Sequence, residues 1–184
     1  ELVAASEKIM PHFHIPLQSG SNKILASMRR RYKKEPYAEK ISLIKKLIPD
    51  CCIGVDVITG FPGETDEDFN ETVYFLKELD VSYLHVFTYS ERANTHALNI
   101  TPVVPVHIRN SRTKILRNLS YNKSQSFALK HFGETRKVLF EGLNKNVCMP
   151  DRKGMMEGYT DNYIKISVPF KAEWANNIVD WKLQ

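Results

Sequence analysis

The sequence predicts an α/β fold over residues 1–133 and a small antiparallel β domain over residues 134–184. Three features carry that prediction. Residues 11–18, 52–59 and 82–89 are runs of strand length rich in branched and aromatic side chains, with helical periods between them. The first two runs end in small-residue turns, Gln18-Ser19-Gly20-Ser21 and Gly60-Phe61-Pro62-Gly63-Glu64-Thr65, that lead straight into a helix. From Glu134 onward the texture shortens into brief runs split by turns. Strand–turn–helix alternation marks a parallel α/β architecture. Ligands of such folds sit where the strands end, because backbone groups there approach them closely.

Each element follows from local chemistry. Residues 1–10 have the character of a helix end whose beginning is absent. The first strand is expected at 11–18, and Ser21 is placed to cap a helix through Arg31 with Ile24, Leu25 and Met28 on one face. Pro36 suits the first turn of the next helix, which runs to Ile48 with Tyr37, Ile41, Ile44 and Ile48 inward. Pro49-Asp50 ends it, and the second strand follows at 52–59. Thr65 or Asp66 then caps a helix to Leu79, with acids in its first turn and Phe69, Val73, Leu76 and Leu79 as the buried stripe. The third strand at 82–89 leads into a long loop, Ser90 to Pro105. A basic helix over 106–132 carries Arg109, Arg112, Lys114, Arg117, Lys123 and Lys130, and Gly133 stops it. A solvated basic face is the default reading of those charges. Beyond it, β runs are expected at 136–141, 146–149, 155–159, 163–168 and 177–183, with turns at Asp151-Arg152-Lys153-Gly154 and Thr160-Asp161-Asn162. That spacing predicts a small antiparallel barrel or sandwich.

Composition narrows the function classes. A chain of 184 residues, 42% hydrophobic and 26% charged, folds around one or two ordinary cores. The net charge of +5 leans toward an anionic partner such as RNA, although a solvated basic surface fits the charge equally well. No apolar stretch reaches the roughly 20 residues of a membrane span, and the N-terminus lacks the layout of a signal peptide, so no membrane role is expected. Cys51, Cys52 and Cys148 give neither a disulfide framework nor zinc spacing, and no metal ligand set is expected. A reducing, cytoplasmic setting is the simplest account.

Period two divides the strands into faces. Phe13, Ile15 and Leu17, then Ile53, Val55 and Val57, then Leu84 and Val86 form an aliphatic side suited to helix packing. The opposite side carries His12, His14, Pro16 and Gln18, then Cys52, Gly54, Asp56 and Ile58, then Tyr83, His85, Phe87 and Tyr89. An ordinary (β/α) barrel fills its interior with branched side chains. A polar inner face predicts instead an open lumen lined by His12, His14, Gln18, Asp56, His85 and Tyr89. A strand histidine is ordinarily a hydrogen-bonded structural residue, and Gln18 serves equally well as a strand-end cap. Asp56 is harder to assign that way, since a buried carboxylate between Val55 and Val57 demands a partner. Glu64 is expected to serve its helix N-terminus, and Cys51 and Cys52 to be inert buried thiols. Lys153, Tyr159, Tyr163, Lys165 and Lys171 are candidates for a basic, aromatic RNA-facing surface, with strand packing the equal alternative for the two tyrosines.

The segments HFHIPLQSGSNKIL…MRRRY, GVDVITGFPGET and HVFTYSERANTHAL, in that order, resemble the C-terminal half of a radical S-adenosylmethionine methylthiotransferase. The segment TDNYIKI resembles the small TRAM-like RNA-binding domain of those enzymes, and the wording is closest to the branch acting on threonylcarbamoyladenosine in tRNA. Related branches act on isopentenyladenosine in tRNA or on a ribosomal protein. A free-standing RNA-binding module is the reading from another class. The resemblance implies the last three strands of a partial (β/α) barrel followed by a TRAM-like β domain. It implies S-adenosyl-L-methionine and two [4Fe–4S] clusters as cofactors, with the cluster cysteines in a missing N-terminal half, so the fragment alone should hold no cluster and be inactive. The implied partner is the tRNA anticodon stem-loop, and the implied chemistry places a methylthio group on C2 of the adenosine at position 37.

In that frame Gln18 and Ser19 match a contact to the cofactor ribose, Asp56 lies on the strand flanking the nucleoside, and Gly60 permits close backbone approach. Tyr89, Ser90 and Arg92 follow the last strand toward the adenine or the substrate base. One departure stands out: Arg92-Ala93-Asn94-Thr95 replaces the family's Arg-Pro-Gly-Thr, so Asn94 must supply any positive φ in that turn. The truncated barrel also leaves the first strand as an open edge, for which cover by the N-terminal residues or self-association is expected.

Overall fold

A computed structural model describes residues 1–141 and 154–184. The expected strand at 146–149, the Asp151-Arg152-Lys153 turn, Cys148 and Lys153 lie outside the described residues. The described chain separates into two compact units, residues 13–126 and residues 1–12 with 127–184. The change of texture at Gly133 thus falls seven residues after the division in the contacts. The physical reason is that the last helical turn already works for the second unit: Phe127 packs edge-on to His131 at 4.9 Å, and Gly133 N–H donates to the Leu183 carbonyl.

The first unit is built on a three-stranded sheet, order β1-β2-β3, from β1 (His12–His14), β2 (Cys52–Thr59) and β3 (Tyr83–Thr88). β2 and β3 are parallel, with Asp56 opposite His85 and Ile58 opposite Phe87. The first strand is shorter than the expected 11–18. Hydrogen bonds to β2 nevertheless continue past His14, from the Ile15 amide to the Gly54 carbonyl and from the Leu17 and Gln18 amides to the Asp56 carbonyl, and they end in a single parallel bridge from Gln18 to Val57 where Gln18 turns into the left-handed region at φ 77°. Helices α1 (Leu2–Ala5), α2 (Asn22–Ser27), α3 (Lys34–Leu47) and α4 (Asp66–Glu78) precede or link the strands, and α5 (Val106–Lys130) follows them. α2 stops short of Arg31 because Arg29 adopts φ 56°, a left-handed geometry that no helix continues through.

Helix α4 shows why its start was predictable. Thr65 is the N-cap; its hydroxyl accepts from the Asp68 amide while the Asp68 carboxylate accepts from the Thr65 amide, a complete capping box. The Asp68 carboxylate also takes bonds from Lys23 at 2.7 Å and the Ser21 hydroxyl at 3.1 Å. Burial works against its charge, but these donors hold it below the usual carboxylate range.

The two sheet faces divide as the period-two pattern predicts. Val55, Val57, Leu84 and Val86 lie in the core with Leu17, Ile41, Phe69, Leu76 and Leu116. Asp56 and Ile58 are half-buried, and His85 and Phe87 are exposed on the other face. Hydroxyls of α5 close the outer edge of β3: Ser120 both accepts from the Leu84 amide and donates to its carbonyl, and Thr113 bonds Thr59 and Thr88 at 2.7 Å each.

The second unit holds a four-stranded antiparallel sheet, order β6-β5-β4-β7, from β4 (Thr135–Phe140), β5 (Met155–Thr160), β6 (Lys165–Pro169) and β7 (Ile178–Lys182). Val138, Phe140, Met156 and Val168 form its core beneath Trp174 and Trp181. Gly158 lets β4 and β5 meet closely, since a Cβ there would stand 2.7 Å from the Phe140 ring. Among the described residues no helix is long and apolar enough to cross a membrane.

Candidate functional site

At the C-terminal ends of β2 and β3 the first unit opens into a cavity of about 500 Å³. Its wall is aromatic, from Phe61, Phe87 and Tyr89, and its rim is cationic, from Arg29, Arg30 and Arg92, with His96 beside them. Ser90 lines it as well, so Tyr89, Ser90 and Arg92 stand together where the sequence places them. The turn beyond them uses Asn94 at φ 63°, as the missing glycine requires. Phe61 packs edge-on to Tyr89 at 5.4 Å. The Tyr89 hydroxyl is buried, and among the described residues it has no hydrogen-bond partner. An aromatic wall with guanidiniums at its rim suits a flat heteroaromatic ring that carries anionic substituents.

A buried platform on α5 holds this wall. Arg109 donates from Nε to the Val104 carbonyl at 2.7 Å and from Nη1 to the Tyr89 carbonyl at 3.1 Å, pairs with Glu91 at 2.7 Å, and lies against the Tyr89 ring at 5.2 Å. Gly60 explains itself here: at φ 73°, a Cβ would stand 2.3 Å from Arg109 Cγ. The close approach that Gly60 permits is filled by Arg109. Arg112 pairs with the Glu64 carboxylate at 2.6 Å and with Asp66 at 2.7 Å. Glu64, 5% exposed, also accepts from the Gly60 amide at 2.8 Å. It therefore ties the Gly60 turn to α5 rather than serving its own helix N-terminus. Burial pushes its carboxyl up, and the Gly60 amide and Arg112 pull it back. The solvated reading of the basic helix is corrected for these two arginines, 3% and 5% exposed, and for Lys123, which caps the Lys77 and Leu79 carbonyls.

Gln18, Ser19 and Asp56 do not line this cavity. Asp56 finds its partner in His14, whose Nε2 stands 2.7 Å from the carboxylate, and the His14 ring stacks on His85 at 5.0 Å. Three of the polar-face residues thus meet on the open side of the sheet. Gln18 is 8% exposed, and its backbone joins Asp56 and Ile58. Ser19 is fully buried, its hydroxyl bonded to Thr72 and the Ser21 amide. Residues Arg29, Arg30, Phe61 and Phe87 of the cavity were not marked as site residues by the sequence. The signal the sequence offered for the two arginines was the density of charge in the Arg29-Arg30-Arg31 run.

In the second unit Tyr163, at φ 67°, stacks between Tyr159 at 4.8 Å and His12 at 3.9 Å. Lys165 pairs with Glu157 at 2.6 Å. Lys171 lies over the Trp174 ring at 4.0 Å. Cys51 and Cys52 are buried, and burial pushes their thiols up to about 11, the chemistry of packing residues rather than ligands. Among the described residues no His, Cys, Asp or Glu cluster is arranged to hold a metal ion. An iron–sulfur cluster does not fit the residues described.

Residues 1–76 match the radical SAM superfamily. Along its length the chain is similar to threonylcarbamoyladenosine tRNA methylthiotransferase MtaB of Bacillus subtilis, 38% identical over the whole chain and 40% of that protein, and to MtaB of Aquifex aeolicus, 42% identical over 90% of the chain and 38% of that protein. It is also 34% identical, over its whole length and 40% of the relative, to the tRNA-2-methylthio-N(6)-dimethylallyladenosine synthase of Desulfitobacterium hafniense. The resemblance to radical SAM tRNA methylthiotransferases carried by the motifs is borne out. The chain spans about 40% of the length of these curated relatives.

Proposed function

We propose that this chain is the C-terminal portion of a radical SAM enzyme that methylthiolates C2 of N6-threonylcarbamoyladenosine at position 37 of tRNA. The observation that carries the proposal is the aromatic, arginine-rimmed cavity at the strand ends, in a chain similar over its full length to tRNA methylthiotransferases. The three-stranded sheet is then the closing part of a partial (β/α) barrel, and the second unit a TRAM-like RNA-binding domain. S-adenosylmethionine and two [4Fe–4S] clusters would supply hydrogen abstraction and the methylated sulfur, with the cluster ligands in the polypeptide's N-terminal half.

The chain's own residues have separable tasks. Phe61, Phe87 and Tyr89 sandwich and shield a purine ring, and the unpaired Tyr89 hydroxyl supplies a directional bond. Arg92 and Ser90 complete the substrate side. Gln18 and Asp56 form the cofactor side, with Ser19 fixing the turn through its buried bonds, His14 holding the orientation of Asp56, and Gly60 admitting Arg109 behind them. On the second unit Tyr159, Tyr163 and Lys165 form the basic, aromatic surface that meets the anticodon stem-loop, with the Tyr163 ring held in place by its stacking on Tyr159 and His12. The open edge of β1 is where the N-terminal half, or a second copy of the chain, adds its own strand. Such an enzyme works in the cytoplasm.

The test is nucleoside mass spectrometry of tRNA from cells lacking the gene. Loss of 2-methylthio-threonylcarbamoyladenosine, with its unmethylthiolated precursor accumulating, is the expected result. An unchanged level rejects the tRNA assignment and favours a ribosomal-protein substrate or a non-catalytic RNA-binding role.

A further inference from the structure

Lys23, Lys34, Arg109 and Arg112 of the first unit each meet a carboxylate, from Asp68, Glu71, Glu91 and Glu64 respectively. Arg29, Arg30, Arg31, Lys33 and Arg92 are exposed, and no carboxylate among the described residues pairs with any of them. The acids nearest to them in sequence are turned to other donors: both Glu35 oxygens accept from the Asn22 side-chain amide, and Glu91 accepts from Arg109. Arg29, Arg30 and Arg92 line the strand-end cavity, so uncompensated positive charge gathers at its opening.

The carriers of that charge are held in place. The Arg29 amide donates to the Ala26 carbonyl and the Arg30 amide to the Leu25 carbonyl at 2.9 Å each, which closes α2 in a Schellman turn with Arg29 left-handed at φ 56°. The Tyr32 hydroxyl fastens the same segment to the Leu17 carbonyl at 3.0 Å. A side chain borne at a strained backbone position beside a cavity has a use there.

From this we infer that the mouth of the cavity is a phosphate clamp. Arg29, Arg30 and Arg92 hold the backbone phosphates on either side of a base drawn against Phe61, Phe87 and Tyr89, and Arg31 and Lys33 continue the track along the RNA strand. The inference rests on the nucleoside reading given above. Chemistry at a ring carbon of a base requires the base to leave its stack, and an extruded base brings its two flanking phosphates to the opening that admits it. Aromatic side chains for the base with a cationic groove for the backbone are the combination that binds single-stranded RNA. Guanidiniums suit phosphate oxygens through paired N–H donors. Because every tRNA carries the same backbone, this rim works alike whichever modified adenosine the aromatic wall receives. The first unit thereby grips RNA in its own right.

The experiment is fluorescence anisotropy of the chain with a labelled tRNA anticodon stem-loop over a series of salt concentrations. Arg29→Gly combined with Arg92→Ala should weaken binding roughly tenfold or more near about 0.1 M salt, and should flatten the slope of log affinity against log salt by about 1.4, the share of two single-strand phosphates. Arg29→Lys with Arg92→Lys should keep most of the slope, because the charge stays. The melting temperature should not fall in the first variant, since glycine suits the left-handed backbone and Arg92 is exposed. Neutral methylphosphonates in place of the two phosphates flanking the target adenosine should cost the parent chain a similar loss and cost the Gly/Ala variant little more.

A slope unchanged by the Gly/Ala variant overturns the inference. So does a loss that persists undiminished on the methylphosphonate stem-loop, which would place the arginines on other groups of the RNA. A stem-loop abasic at the target position keeps its phosphates and should bind several-fold more weakly than the ordinary one. Equal binding of those two, or no binding of either at any salt, removes the nucleoside reading and the inference with it. Base dependence with an unchanged slope leaves that reading standing and removes the clamp alone.

Discussion

The root of α5 and the mouth of the strand-end cavity use the same side chain for opposite ends. At the root, Arg112 meets Glu64 at 2.6 Å, with the two side chains 7% and 1% exposed. At the mouth, Arg29, Arg30 and Arg92 stand exposed along a cavity wall. The difference teaches that basic residues in this chain cannot be sorted by composition or by helical phase. Where a guanidinium is surrounded by oxygens of its own fold, its loss is felt in stability. Where the fold leaves it without a carboxylate among the described residues, its loss should leave stability nearly unchanged.

The largest effect should come from the root. Arg112→Met strands the buried Glu64 carboxyl and should cost about 3–5 kcal/mol in chemical denaturation, with much of it recovered by adding Glu64→Leu. A loss under about 1 kcal/mol would mean that the pair is solvated and that the contrast fails. Next comes Gly60→Ala. Its Cβ would stand 2.3 Å from Arg109 Cγ at a left-handed backbone position, and about 2–3 kcal/mol of stability should be lost. Arg109→Ala placed behind it should relieve part of that loss.

A smaller and pH-dependent effect is expected from Asp68. Its folded pKa is depressed, so its contribution is present above the unfolded value near about 4 and disappears as the pH falls through the lower folded value. Asp68→Asn should therefore cost about 1 kcal/mol at pH 7, the scale of a lost cap, and the gap from the parent chain should close at acid pH. A gap that persists unchanged at pH 2 would argue that packing, not charge, is at stake.

The smallest stability change should come from the cavity. Tyr89→Phe removes a buried hydroxyl that has no partner, so stability should stay within about 0.5 kcal/mol or rise. Binding of an adenine nucleoside should still fall several-fold. A stability loss with unchanged binding would place that hydroxyl among the structural groups.

Several features were legible in the sequence because their causes are local. β2 spans the expected 52–59, since a branched run between Pro49-Asp50 and Gly60 has no other period. The start of α4 was written in Thr65 and Asp68, and the two sheet faces in the alternation around Val55-Asp56-Val57. The left-handed Asn94 followed from the absence of glycine in its turn. Tyr89, Ser90 and Arg92 were singled out by the family resemblance, and their place just after a parallel strand accounts for their lining one cavity at the strand ends. The rest depended on distant partners. Arg109 and Arg112 look like Lys114 and Arg117 in the sequence; what separates them is Glu91 and Glu64, 18 and 48 residues away. The early end of α2 was hidden for a similar reason. Arginine is a good helix former, and nothing local announces that Arg29 leaves the helical region.

Photolabelling tests the central claim, that the strand ends hold an adenine ring, most directly. A 2-azidoadenosine probe should attach, on irradiation, to the segment from Phe87 to Arg92, and excess unlabelled N6-threonylcarbamoyladenosine should protect it. Label confined to other segments, or label there that the competitor leaves untouched, would contradict it.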